Sequence, residues 1–219
     1  EFNNRLHADI SINMDINEFL IQFLEEYNVQ LDFSDWLARI NELKDSNPLS
    51  NELVIQNQEI NPHDFFTQLS IDTKGPRVYS VDVGSHQMWS AQALVFHNGD
   101  RFLTSGGMGS MGFSLPAAIG ASVSTDQDIV VIVGDGSFQM NIQELQYISF
   151  NKLNIKIVVV NNGCLGMIRQ FQDSYMEGRY FGTKWGYSTP DFSAISNAYG
   201  IQSLAVDSSE AIEAAISWL

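Results

Sequence analysis

The sequence predicts an α/β domain built on a doubly wound, mostly parallel sheet. Three observations carry this. Within the segments DIVVIVG (128–134) and IKIVVVN (155–161), residues 129–133 and 157–160 are continuous β-branched runs, the mark of strands covered on both faces of a parallel sheet. Strand-like and helix-like segments alternate from residue 61 onward. Glycine- and asparagine-rich turns follow several strands at their carboxyl ends, where open α/β sheets bind ligands.

The elements follow in order. Residues 6–12 (LHADISI) read as a short strand, and 17–27 and 34–44 carry helical apolar spacing. Residues 46–60, rich in Asn and Ser, read as a linker, so 1–45 and 61–219 are separate domains. Asn61-Pro62-x-Asp64 has a cap, a proline at the first helical position and an acid in the first turn, and predicts a helix over 63–70. Next come a strand at 77–83, a helix at 86–94, a short strand at 102–104 and a helix at 114–123. Strand 128–134, helix 139–150, strand 155–161 and helix 165–175 follow. After a loop come helix 191–199, strand 201–206 and helix 208–219, so the predicted sheet lacks a final strand.

Composition narrows the function. The 219 residues are 44% hydrophobic and only 17% charged, which suits a globular chain with extensive covered surface. A net charge of −15 argues against a nucleic-acid partner, because phosphate neutralisation needs Lys and Arg. One cysteine, Cys164, excludes an internal disulfide framework. No apolar run reaches the roughly eighteen residues of a membrane span and no signal peptide is visible, so the expectation is a soluble, cytoplasmic protein.

Three turns carry chemistry. Gly107-Met-Gly109-Ser-Met-Gly112 is a literal G-x-G-x-x-G, with Asp135 about twenty residues beyond. A dinucleotide fingerprint would stand on the first strand of a βαβ unit. Here strands precede it, which disfavours NAD. Gly134-Asp135-Gly136-Ser137 and Asn161-Asn162-Gly163-Cys164-Leu165-Gly166 end consecutive strands. Singly, each reads as an ordinary turn. Together they offer a carboxylate, an amide oxygen and backbone carbonyls, an all-oxygen set that suits Mg²⁺ beside a phosphate. Glycines let main chain approach the phosphate, and a helix start near Ser137 points amides at it.

Gly134-Asp135-Gly136, twenty-four residues, then Asn161-Asn162 resembles the motif of thiamine diphosphate (ThDP) enzymes. With VGSHQMWSAQ (83–92), TSGGMGSMGFSLPAAIGA (104–121), GDGSFQMNIQEL (134–145) and NNGCLGMIRQF (161–171), the chain resembles the C-terminal portion of the acetolactate synthase large-subunit family. RLHADIS (5–11) resembles the end of that family's middle domain. The resemblance implies a ThDP diphosphate-binding domain over 61–219. The loop 106–112 would hold the aminopyrimidine, the Gly109 carbonyl accepting from its amino group. The Met111 amide would donate to the ring, and the Met111 side chain would bend the cofactor. Gly84, Ser85, His86, Gly136, Ser137, Leu165 and Gly166 would hold the diphosphate. Asp135, Asn162 and the Cys164 carbonyl would ligate Mg²⁺. Met167, Ile168 and Phe171 would face the substrate.

The chain departs from the family pattern at Ser85, usually Gln, and at Phe171, usually Trp. The family's activating Glu belongs to a pyrimidine-binding domain, and nothing before residue 61 resembles one. The resemblance therefore implies part of a transferase of branched-chain amino acid biosynthesis that decarboxylates a 2-keto acid such as pyruvate and joins the two-carbon unit to a second 2-keto acid. The implied assembly is a homodimer or tetramer whose neighbouring chain supplies the pyrimidine-binding domain. FAD and a regulatory subunit are further family features of the full-length protein. Two alternatives stand beside this reading: a ThDP-dependent paralogue with another keto acid or aldehyde substrate, and a ThDP/Mg-binding domain inactive as supplied.

Overall fold

The computed structural model describes residues 7–27, 31–48, 60–71 and 74–219. The chain separates into two compact units, Glu1–Asn47 and Pro48–Leu219. The first unit carries α1 (Ile16–Glu26) and α2 (Ser34–Ser46). The Asp15 carboxylate caps α1 by accepting the Asn17 N–H at 2.8 Å. Of the strand expected at 6–12, Leu6 lies outside the described residues, and 7–12 form no ladder and are exposed. A strand requires a neighbouring strand to form a ladder with, so alternation alone does not make one. Most of the expected linker, residues 49–59, lies outside the described residues.

The second unit is the predicted α/β sheet. Strands β1 (Arg77–Val81), β2 (Arg101–Thr104), β3 (Asp128–Gly134) and β4 (Ile155–Val160) are all parallel, in the order β2-β1-β3-β4. Alternate side chains serve two cores. Val78, Ile129, Val131 and Val133 pack with Leu115, Ala118, Leu145 and Ile148 on one face. Tyr79, Val81, Val130 and Ile132 pack with Phe66, Leu69, Ala93 and Leu94 on the other. The first face is covered by α5 (Ser114–Ser122) and α7 (Glu144–Phe150), the second by α3 (Pro62–Ile71) and α4 (Ser85–Ala93). The buried β-branched run of β3 is thus explained by helices on both sides.

Three expectations change. The single helix at 139–150 is two: α6 (Asp135–Met140) and α7, separated by a turn. The Asn141 amide donates to the Gly112 carbonyl, and Glu144 N–H bonds Asn141 O at 3.0 Å, an i to i+3 turn that breaks the helical ladder. The strand at 201–206 carries no ladder. An open groove is lined by β4 on one side and by residues 201–206 on the other, so neither edge finds the other's hydrogen bonds. The helix at 208–219 begins as a 3₁₀ turn, Ser209–Ala211, before α10 (Ile212–Trp218). The remaining helices are α8 (Gly166–Tyr175) and α9 (Phe192–Ala198).

The order β2-β1-β3 creates a switch point. The chain leaves β1 toward β2 on one side and returns to β3 on the other. Ligands of open α/β sheets sit beyond the carboxyl ends of strands flanking such a reversal.

Candidate cofactor site

Every turn singled out in the sequence lies at the carboxyl end of β1, β2, β3 or β4. Asp82, directly after β1, is fully buried. Its carboxylate accepts the N–H groups of Val83 (2.9 Å), Gly112 (2.9 Å) and Ser114 (2.8 Å). Ser80 in β1 donates to the Ser114 carbonyl at 2.8 Å. These bonds tie the glycine loop after β2 to the end of β1. Within the loop, Gly109 N–H bonds Ser105 O at 2.8 Å, and Gly109 takes φ +68°, a left-handed conformation that favours glycine.

Across the switch point His86 is buried, its Nε2 accepting the Gly134 N–H at 3.2 Å. Nδ1 therefore carries the ring proton. Burial lowers the His86 pKa to about 4, against an upward pull from Asp82. His86 is a neutral brace between the start of α4 and the end of β3. Gly84 caps α4 and Ser85 is its first residue.

Asp135, 2% exposed, is held on both oxygens. Oδ1 accepts the Gly136 N–H at 2.7 Å and the Tyr187 hydroxyl at 3.0 Å, while Oδ2 accepts the Gly163 N–H at 2.8 Å. The Gly163 bond joins the β3 and β4 turns, as the Gly134–Val160 register predicts. Asn162 Oδ1 accepts the Cys164 N–H at 3.1 Å. Cys164 is buried. Ser137, also buried, donates to the Val83 carbonyl at 3.1 Å.

Two glycines are needed for close approach. A Cβ on Gly166 would stand 2.3 Å from Ser85 Oγ, so the starts of α4 and α8 touch. A Cβ on Gly136 would stand 2.5 Å from Leu165 Cδ2 and 3.3 Å from Met111 Cε. Met111, Gly136 and Leu165 thus converge from three different turns. Met167, Ile168 and Phe171 share α8, which buries none of its residues; Phe171 is 53% exposed, its ring tilted at 42° against Tyr175 with centroids 4.8 Å apart.

The sequence reading missed Asp82, Tyr187 and Thr183. Asp82 carried a signal, an acid at a strand's carboxyl end inside VDVGSH. Thr183 is buried, and its carbonyl accepts the Leu165 N–H at 3.0 Å, fixing the entry to α8. Burial and the bond to Asp135 push the Tyr187 phenol well above its usual range.

Among the described residues no group of three or more His, Cys, Asp or Glu could hold a metal ion. The chemistry at Asp135 is that of one carboxylate among neutral oxygens. No helix of the described residues is long and apolar enough to cross a membrane.

Residues 82–219 match the family model for the thiamine pyrophosphate enzyme C-terminal TPP binding domain. The acetolactate synthase large subunit of Lactococcus lactis subsp. lactis (strain IL1403) is 38% identical over 208 residues, 94% of this chain and 36% of the relative. The Escherichia coli (strain K12) acetolactate synthase isozyme 2 large subunit is 35% identical over 223 residues, 99% of this chain and 38% of the relative. The chain therefore spans little more than a third of the length of these curated relatives. A solved structure, the Rhodococcus jostii RHA1 thiamine diphosphate-dependent 4-hydroxybenzoylformate decarboxylase, superposes with a TM-score of 0.68 at 23% identity, over 75% of this chain and 31% of that one. It shares the fold. The match runs from buried Asp82 through the glycine loop, the GDGS turn and the NNGCLG turn, and it makes this chain a member of the thiamine pyrophosphate enzyme family, whose C-terminal TPP-binding domain it carries.

Proposed function

We propose that this domain holds the diphosphate and Mg²⁺ end of ThDP in an acetolactate-synthase-like enzyme that decarboxylates pyruvate and transfers the two-carbon unit to a second 2-keto acid. The observation that carries this is the contact of two helix starts, Ser85 in α4 and Gly166 in α8, beside buried Asp135 at the switch point. Unpaired first-turn amides attract an anion, and a Cβ at Gly166 or Gly136 would fill the cradle. The residues therefore fit the cofactor.

Asp135, the Asn162 amide oxygen and the Cys164 carbonyl would hold Mg²⁺, which favours oxygen donors and keeps phosphate and water as its other ligands. Gly84, Ser85, Gly136, Ser137, Leu165 and Gly166 would surround the diphosphate, with His86 bracing the strand end beneath. The Gly109 carbonyl and the Met111 amide would meet the aminopyrimidine, on a loop whose path Asp82 fixes. Bound ThDP supplies the electron sink for decarboxylation. The chain's own part is to clamp the charged end, orient the ring and keep water from one side. Met167, Ile168 and Phe171 would line the substrate side of α8.

The exposed apolar residues of α8 and the exposed glycine loop support a reading as a dimer or tetramer in which a neighbouring chain would contribute the pyrimidine side. FAD and a regulatory subunit belong to the same reading of the whole protein, as does a cytoplasmic site. Phe171 favours one rival, a paralogue with a different second substrate, because a smaller aromatic widens the cleft. The test is product analysis of the full-length enzyme with pyruvate, ThDP and Mg²⁺. Acetolactate with one CO₂ released per carbon–carbon bond formed is the expected outcome. Acetaldehyde or another aldehyde as sole product would sink the synthase reading.

A further inference from the structure

We infer that Tyr187 is a positioning residue that makes Asp135 a one-oxygen ligand and thereby selects Mg²⁺ over Ca²⁺; this rests on the metal site proposed above. A carboxylate has about two acceptor sites on each oxygen. On Asp135 Oδ1 both are taken, by the Gly136 N–H at 2.7 Å and the Tyr187 hydroxyl at 3.0 Å. On Oδ2 one is taken, by the Gly163 N–H at 2.8 Å. One site remains, on Oδ2, which lies on the side of the Asn161–Cys164 turn. Such a carboxylate can bind a cation through a single oxygen only.

Mg²⁺ is small and demands near-octahedral geometry with single-oxygen ligands, whereas Ca²⁺ readily accepts both oxygens of one carboxylate. The Tyr187 hydroxyl is what closes the second mode, because removing it returns one acceptor site to Oδ1. Its placement is specific to this fold. Tyr187 lies 52 residues from Asp135, follows Gly186 at φ +74°, and ends the turn in which Thr183 holds the Leu165 N–H. A Cβ on Gly136 would stand 3.1 Å from the hydroxyl, so the GDG glycine also clears the phenol's approach.

The experiment titrates MgCl₂ and CaCl₂ calorimetrically into wild-type, Tyr187→Phe and Asp135→Asn protein saturated with thiamine diphosphate. Tyr187→Phe keeps the ring and should raise the Ca²⁺ to Mg²⁺ affinity ratio about tenfold, which is about 1.4 kcal/mol. A structural role for Tyr187 would lower both affinities together; an unchanged ratio overturns the inference. If Asp135→Asn binds both cations as wild type does, or wild type binds neither, the metal site itself falls and this inference with it. If Asp135→Asn loses both cations while Tyr187→Phe keeps the wild-type ratio, only the role of Tyr187 falls. Difference infrared spectra of the wild-type protein, with Asp135→Asn subtracted, make the test independent of how Tyr187→Phe folds. A single-oxygen carboxylate signature with Ca²⁺ as well as with Mg²⁺ supports the inference, and a two-oxygen signature with Ca²⁺ overturns it.

Discussion

Asp82 accepts the Gly112 N–H at 2.9 Å, fully buried, across thirty residues of chain. That bond, with its companions to Val83 and Ser114, joins the end of β1 to the loop after β2. It makes the shape of the glycine loop depend on a residue outside the loop.

Asp82→Asn should therefore cost stability on the order of 3 kcal/mol, since the new amide group would point a donor at backbone donors left buried and unpaired. Urea denaturation measures this. A loss well under 1 kcal/mol would mean that the loop holds itself.

His86 gives the domain an acid-sensitive step. Its folded pKa of about 4 lies below the ordinary 6.5, so below 6.5 the unfolded chain takes up a proton that the fold refuses. The stabilisation is complete above pH 6.5 and is lost as pH falls toward 4, by about 3 kcal/mol at most. His86→Gln should flatten the stability-against-pH curve across that window. A wild-type curve already flat between pH 6.5 and 4 would contradict the buried neutral ring.

Gly166→Ala should weaken ThDP binding at least tenfold while costing about 1–3 kcal/mol of stability, because the methyl group lands on Ser85 Oγ where two helix starts meet. Calorimetric titration with Mg²⁺ present reads the affinity. Near-normal binding would show that this contact is not part of the diphosphate cradle.

Phe171→Trp in the full-length enzyme should move the choice of second substrate toward 2-ketobutyrate over pyruvate. One methylene of discrimination is worth about 1–3 kcal/mol, so the shift is bounded at roughly ten- to two-hundred-fold. Competition assays with both acceptors read it directly, and an unchanged product ratio would remove Phe171 from the acceptor pocket.

The 219 residues alone should give no appreciable 2-keto acid turnover with ThDP and Mg²⁺ in excess. Loop residues 106–110 and the apolar residues of α8 are exposed, and water there weakens every electrostatic contribution. Proton–deuterium exchange at the thiazolium carbon, followed by NMR, should run at the rate of free cofactor. Much faster exchange would mean that this chain carries its own activating group.

The sequence by itself determined the sheet and the turns on it. The β-branched run of β3 was legible because burial on both faces leaves no polar alternation to confuse it; β4 carries a similar run at the sheet edge, where its residues are only half-buried beside the groove, against the expectation of cover on both faces. The GDG and NNG turns were legible because Gly and Asn are confined by backbone geometry. Tertiary structure alone decided the rest. The run 139–150 has one helical periodicity, yet Asn141 turns aside to the Gly112 carbonyl. Residues 201–206 have strand composition and no ladder, since a ladder requires a neighbour and they face a groove. The donors that fix Asp82 and Asp135 lie up to 52 residues away in the chain. Local pattern records which side chains want burial or a turn; which buried carboxylate meets which amide or hydroxyl is set by strand order and loop path, and those are fixed only when the whole sheet closes.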